Sequence, residues 1–151
     1  MVQIIDYSPE LQPHFEKINK EWVEKYFILE PFDVEQLSNP QEVILNKGGA
    51  ILFAKEGEEI IGTVGLAKSA DGTFEMIKMA VIPEAQSKKV GHLLAASILE
   101  KAKTMGAKKV VLYSNTKLEA ALYLYRKFGF KETTPECGKY GRCDIKMELD
   151  L

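Results

Sequence analysis

The chain has 151 residues, 46% of them hydrophobic and 28% charged, a composition that buries one core and excludes a disordered or low-complexity chain. A net charge of −2 gives no overall basic footprint for nucleic acid, and no apolar run approaches membrane-spanning length. Met1 to Asp6 lack the basic stretch and long apolar run of a secretory leader, so a cytoplasmic protein folded as one domain over residues 1–151 is expected. The two cysteines, Cys137 and Cys143, are too few for a disulfide framework and lack the paired spacing zinc needs. Reduced thiols and no metal are therefore expected.

In chain order, Gln3 to Tyr7 reads as a short strand. Ser8 is a helix N-cap, with Pro9 at the first helical position and Glu10 in the first turn. Leu11, Phe15, Ile18, Trp22 and Tyr26 then step by three or four and share one helical face, which puts Trp22 in the core. Glu30-Pro31 stops this helix, and Asn39-Pro40 caps a second, short one that ends at Gly48-Gly49.

From there the spacing changes to short apolar runs, Ala50 to Ala54, Ile60 to Ala67 and Phe74 to Ile82, with Glu56-Gly57 and Asp71-Gly72 as turns. This predicts an antiparallel three-stranded meander. Gly91 to Met105 reads as a helix and Val110 to Tyr113 as a strand buried on both faces, so the helix is the crossover of a parallel strand pair. Leu118, Ala121, Leu122, Tyr125 and Phe128 mark a last amphipathic helix, closed by Gly129. Phe130 to Thr133 and Cys143 to Leu149 form a terminal hairpin. Charge is segregated. Residues 1–75 hold 14 Asp and Glu against 6 Lys and Arg, whereas residues 76–151 hold 8 against 14. One half can attract a cation and the other an anion.

The stretch from Met79 to His92 runs from a strand into a helix N-terminus, where unpaired backbone amides and the helix dipole suit a diphosphate, with Lys88, Lys89 and His92 adding positive charge. Gln86, Lys89 and Gly91 occupy the places of a pattern that reads Gln or Arg, two residues, Gly, one residue, Gly or Ala. With the segment Ser114 to Phe130 and the closing strand Tyr140 to Leu149, this half of the chain resembles the GCN5-related N-acetyltransferase family, and small stand-alone bacterial members in particular. Lys89 departs from the pattern, which is tolerable where backbone amides bind and positive φ is not required.

The resemblance implies an α+β fold, a mixed sheet of about six to seven strands splayed between the fourth and fifth, flanked by about four helices. It implies acetyl-CoA as co-substrate and no metal. Backbone groups of Met79, Ala80 and Val81 would pair with the pantetheine arm as an added strand does. The loop Gln86, Ser87, Lys88, Lys89, Val90, Gly91 and His92 would hold the diphosphate, and Asn115 would touch the arm from the far side. Tyr125 matches the family's acid that protonates the departing thiolate, and Glu75 the base found in some members. Tyr125 also lies on an apolar stripe, which leaves a core tyrosine with a satisfied hydroxyl as the other reading. A solvated or structural Glu75 likewise stays open, with His14 and His92 as weaker base candidates.

The function that follows is acetyl transfer to a primary amine, a small amine or amino-acid derivative, with the acidic first half suiting a cationic acceptor. A non-catalytic acyl-CoA sensor and a protein or peptide acetyltransferase are the alternatives. No nucleic acid or membrane partner is expected, and monomer and homodimer both stay open.

Overall fold

In the computed structural model, which describes residues 1–134 and 141–151, the long apolar runs are strands covered on both faces. Seven strands, β1 (Val2–Asp6), β2 (Ala50–Glu56), β3 (Glu59–Ala70), β4 (Thr73–Val81), β5 (Lys109–Ser114), β6 (Lys131–Thr133) and β7 (Ile145–Asp150), form one sheet. Their order is β1-β2-β3-β4-β5-β7-β6, antiparallel throughout except for the parallel pair β4–β5. The helices are α1 (Gln12–Tyr26), α2 (Pro31–Ser38), α3 (Val90–Thr104) and α4 (Glu119–Lys127).

Side chains alternate across the strands, so each face has its own core. Leu52, Val64, Leu66 and Phe74 pack with Leu94 and Ile98 of α3 and Leu122 of α4. Ile51, Phe53, Ile60 and Ile77 pack with Phe15 and Ile18 of α1 and Leu37 of α2. This double cover explains why β2 and β3 read as continuous apolar runs rather than as alternating ones. The meander and the right-order crossover β4–α3–β5 are as expected, and Gly57 and Gly72 take the positive φ (61° and 75°) that their tight turns require.

Several local expectations are corrected. The first strand is Val2–Asp6, one residue earlier. Ser8 precedes a short 3₁₀ turn, Pro9–Leu11, and its hydroxyl donates to Glu10 Oε1 at 3.0 Å instead of capping a backbone amide. Glu30-Pro31 does not stop α1, which ends at Tyr26, but starts α2. Pro31 takes the first helical position, which needs no donor, and Glu30 and Asp33 close a reciprocal capping box. Beyond Asn39-Pro40 the chain makes a π-type turn, Gln41–Leu45, rather than an ordinary short helix. Cys143 is disulfide-bonded, against the expectation of a reduced thiol, because a cysteine count too low for a framework says nothing of the state of a single thiol. Cys137, the remainder of that expectation, and Tyr140 lie outside the described residues.

Candidate active site

Strands β4 and β5 pair only through Thr73–Lys109, Phe74–Val110 and Glu75–Val111. Beyond Glu75, β4 stays with β3 and β5 stays with β7, so the two diverge. From Met76 to Val81 one edge of β4 has no strand partner among the described residues, and its amides and carbonyls face an open wedge. A cavity of about 780 Å³ fills the wedge, lined from β4 and β5, the N-terminus of α3, α4 and the end of α1.

Within the wedge β4 is bulged. Thr63 pairs with Ala80 and Gly65 with Ile77, so Val64 alone opposes Lys78 and Met79. Lys78 takes φ 53° there, a conformation that costs a side-chain-bearing residue about 1–2 kcal/mol. Its side chain is 4% exposed, and its ammonium pairs with the fully buried carboxylate of Asp33 on α2. Arg142 forks onto the same carboxylate at 2.7 and 2.8 Å and reaches Glu30 at 3.0 Å. Burial opposes ionisation of Asp33, but the hydrogen bonds from Arg142 and Lys78 overcome it and hold the carboxyl well below its usual range. Burial lowers Lys78 despite Asp33's pull in the opposite direction. Sequence reasoning missed this cluster, although its signals were there: a lysine inside the apolar run Met76 to Val81, and a Glu-Pro-x-Asp start to α2.

The phosphate-side expectations divide. The 3₁₀ turn Pro83–Lys88 leads to Lys89, which sits at φ 59° and precedes α3 without any side-chain cap. The first amides of α3 therefore remain open to an anion. Lys89 does occupy a left-handed position, so the proviso about φ fails: the missing glycine is a backbone strain and not only a side-chain change. Gly91 lines the cavity, and an added Cβ there would meet only Leu124 Cδ2, at 3.6 Å, an ordinary contact. His92 is exposed on the cavity, its ring 4.9 Å from that of Phe128. Lys88 instead pairs with Glu56 at 3.0 Å, and Val90 is buried in the core. Gln86 folds back to donate to the Val81 carbonyl at 3.2 Å, and Ser87 belongs to the turn.

On β4, Met79 and Val81 line the cavity, and the side chain of Ala80 is buried against the α1-side core while its backbone follows the open edge. Asn115 also lines it, but its amide already works within the protein: Nδ2 donates to the Arg142 carbonyl at 2.7 Å, and Oδ1 accepts from the Lys117 amide at 2.9 Å.

Tyr125 lines the cavity half-buried, edge-on to Phe130 with ring centroids 5.9 Å apart. Its hydroxyl has no hydrogen-bond partner among the described residues, which the core-tyrosine reading requires. Burial pushes its pKa up to about 12, so the phenol keeps its proton at any working pH. Glu75, 3% exposed, lines the cavity at the point where β4 and β5 part. His14 lies elsewhere, in a shallow depression beside Glu56 and Glu58. Trp22 is half-buried: it packs against the α1-side core as expected, and with Tyr26 (5.4 Å between rings) and Phe27 it also forms the α1 wall of the cavity. The acidic half of the chain gives the cavity its α1 wall but little negative charge. Of its carboxylates only Glu75 lines it, Glu30 and Asp33 being held by Arg142 and Lys78.

Comparison with known proteins agrees with this geometry. The Acetyltransferase (GNAT) family matches residues 12–130. An uncharacterized N-acetyltransferase of Bacillus subtilis, YvbK, is 30% identical over 105 residues, which span 68% of each chain. A GNAT-family acetyltransferase of Staphylococcus aureus Mu50 superposes over 100% of this chain and 99% of its own, with a TM-score of 0.90 at 21% identity. YncA of Salmonella typhimurium, solved with acetyl-CoA, superposes over 100% and 94% with a TM-score of 0.80 at 22% identity.

Proposed function

Because this chain belongs to the acetyltransferase (GNAT) family and is an acyltransferase, we propose that it transfers the acetyl group of acetyl-CoA to a primary amine, a small amine or amino-acid derivative. The observation that carries this reading is the wedge, in which a β4 edge with no strand partner, the uncapped α3 N-terminus and a Tyr125 hydroxyl with no hydrogen-bond partner, all among the described residues, border one cavity. The residues fit the donor. The backbone from Met76 to Val81 can pair with an amide-bearing arm as a strand does, and Gly91 leaves room for phosphate where the protein itself does not need the space. Acetyl-CoA supplies an acetyl carbonyl activated as a thioester. A cytoplasmic site of action and a single-domain protein are part of the proposal.

Glu75 takes the amine's proton, directly or through a water, as the nitrogen bonds to the carbonyl carbon. The carbon–sulfur bond breaks in turn, and its electron pair leaves on sulfur. Tyr125 donates to that sulfur. A thiol holds its proton at about 8.5, well below Tyr125 at about 12, so the phenol acts first as a hydrogen-bond donor to the developing thiolate. Full transfer follows as the proton released by the amine re-enters the site. Initial-rate assays of thiol release from acetyl-CoA over a panel of amines test this. Saturable CoA binding without thiol release from any of them would favour the acyl-CoA sensor, which the strained Lys89 position could accompany.

A further inference from the structure

The acceptor side of the cavity has a definite chemistry. Trp22, Tyr26 and Phe27 present three aromatic rings in succession at the end of α1, with neighbouring centroids 5.4 and 6.5 Å apart. Rings left facing a cavity rather than a core favour an apolar or aromatic occupant. The charges beside them are few. Lys78 and Arg142 also line the cavity, but their charges are met by Asp33 and Glu30. Lys117 differs: its ammonium stands 5.5 Å over the Phe27 ring, and no carboxylate pairs with it among the described residues. Among the described residues, the carboxylates lining the cavity are Glu75, buried, and Glu119, exposed at the start of α4.

The rings alone would accept a cation as readily as an apolar group, but a polyamine or a lysine-rich peptide would also meet the Lys117 ammonium with one exposed carboxylate, Glu119, among the described lining residues to answer its several charges, which is the wrong complement. The right complement is one ammonium, one carboxylate and an apolar body. We infer that the acceptor is an amino acid with an aromatic or large apolar side chain, its amine directed to Glu75, its carboxylate to Lys117 and its side chain to the rings of Trp22, Tyr26 and Phe27. This deepens the acetyl-transfer reading and rests on it.

Thiol release from acetyl-CoA, measured on the full chain, compares phenylalanine and tryptophan with phenethylamine and tryptamine, which lack only the carboxylate, and with spermidine. The amino acids should show kcat/KM at least about tenfold higher than their decarboxylated counterparts, the effect of one charge-assisted hydrogen bond. Lys117→Gln should erase that preference through KM while leaving the rate with phenethylamine unchanged. Lys117 is exposed and outside the core, so the variant should fold. A preference for spermidine or for the decarboxylated amines, or a Lys117→Gln variant that keeps the wild-type ratio, would overturn the inference and leave acetyl transfer standing. Thiol release with none of these amines, nor with a broader panel, would overturn the acetyl-transfer reading itself.

Discussion

Arg142 grips Asp33 through two parallel hydrogen bonds, 2.7 and 2.8 Å long, and so ties the approach to β7 to the start of α2 over a carboxylate that is fully buried. The same carboxylate holds Lys78 at the bulge of β4, the segment that borders the wedge. Asp33→Asn takes from the buried Lys78 the carboxylate it pairs with and leaves Arg142 to Glu30, and loss of one partner of a buried pair costs about 3–5 kcal/mol. Chemical denaturation at neutral pH should show that loss. The sign with pH follows from the depressed carboxyl. Its contribution is complete above the unfolded value of about 3.9 and fades as pH falls below it. The gap between wild type and Asp33→Asn should therefore narrow below about pH 4. A constant gap would mean that Asp33 is not the titrating group.

Lys89 at φ 59° carries a strain that glycine does not. Lys89→Gly should raise stability by about 0.5–1 kcal/mol, since the greater freedom of glycine in the unfolded chain offsets part of the relief. Lys89→Val should lower it. Thermal melts of both variants decide this, and no change in either would mean that the turn relaxes in solution.

Gly91 has room for a methyl group in the unliganded protein, and helix interiors favour alanine. Gly91→Ala should keep or slightly raise the melting temperature while weakening acetyl-CoA binding, because the methyl stands where phosphate approaches the first turn of α3. The shift in melting temperature on adding acetyl-CoA reports both at once. An unchanged shift would place the diphosphate elsewhere.

The order of strands and helices was legible in the sequence because turn glycines and apolar spacing depend on local chemistry. Glu56-Gly57 and Asp71-Gly72 mark their hairpins, and the crossover follows from a buried strand on each side of α3. What was not legible is tertiary. Glu30-Pro31 carries the same signal for a stop and for a start, and only packing decides between them. Trp22 shares a helical face with Phe15 and Ile18 and packs against their core, but it also borders the wedge, so part of the tryptophan meets a cavity that helical spacing alone does not reveal. The charge asymmetry between the halves was real in sequence, yet of the carboxylates of residues 1–75 only Glu75 lines the cavity, and Asp33 is taken up by Arg142, 109 residues away.

The central claim is that the Tyr125 hydroxyl acts on the departing sulfur, and Tyr125→Phe tests it most directly. The ring contact with Phe130 is preserved, and the hydroxyl has no partner among the described residues to leave unsatisfied, so the melting temperature and acetyl-CoA affinity should stay at wild-type values. Because burial holds the phenol at about 12, wild-type activity should also show no loss from tyrosine ionisation up to about pH 10. The decisive number is turnover at saturating acetyl-CoA. A fall of roughly 10²- to 10⁴-fold in kcat is the predicted result, whereas a Tyr125→Phe enzyme that turns over within tenfold of wild type would contradict it.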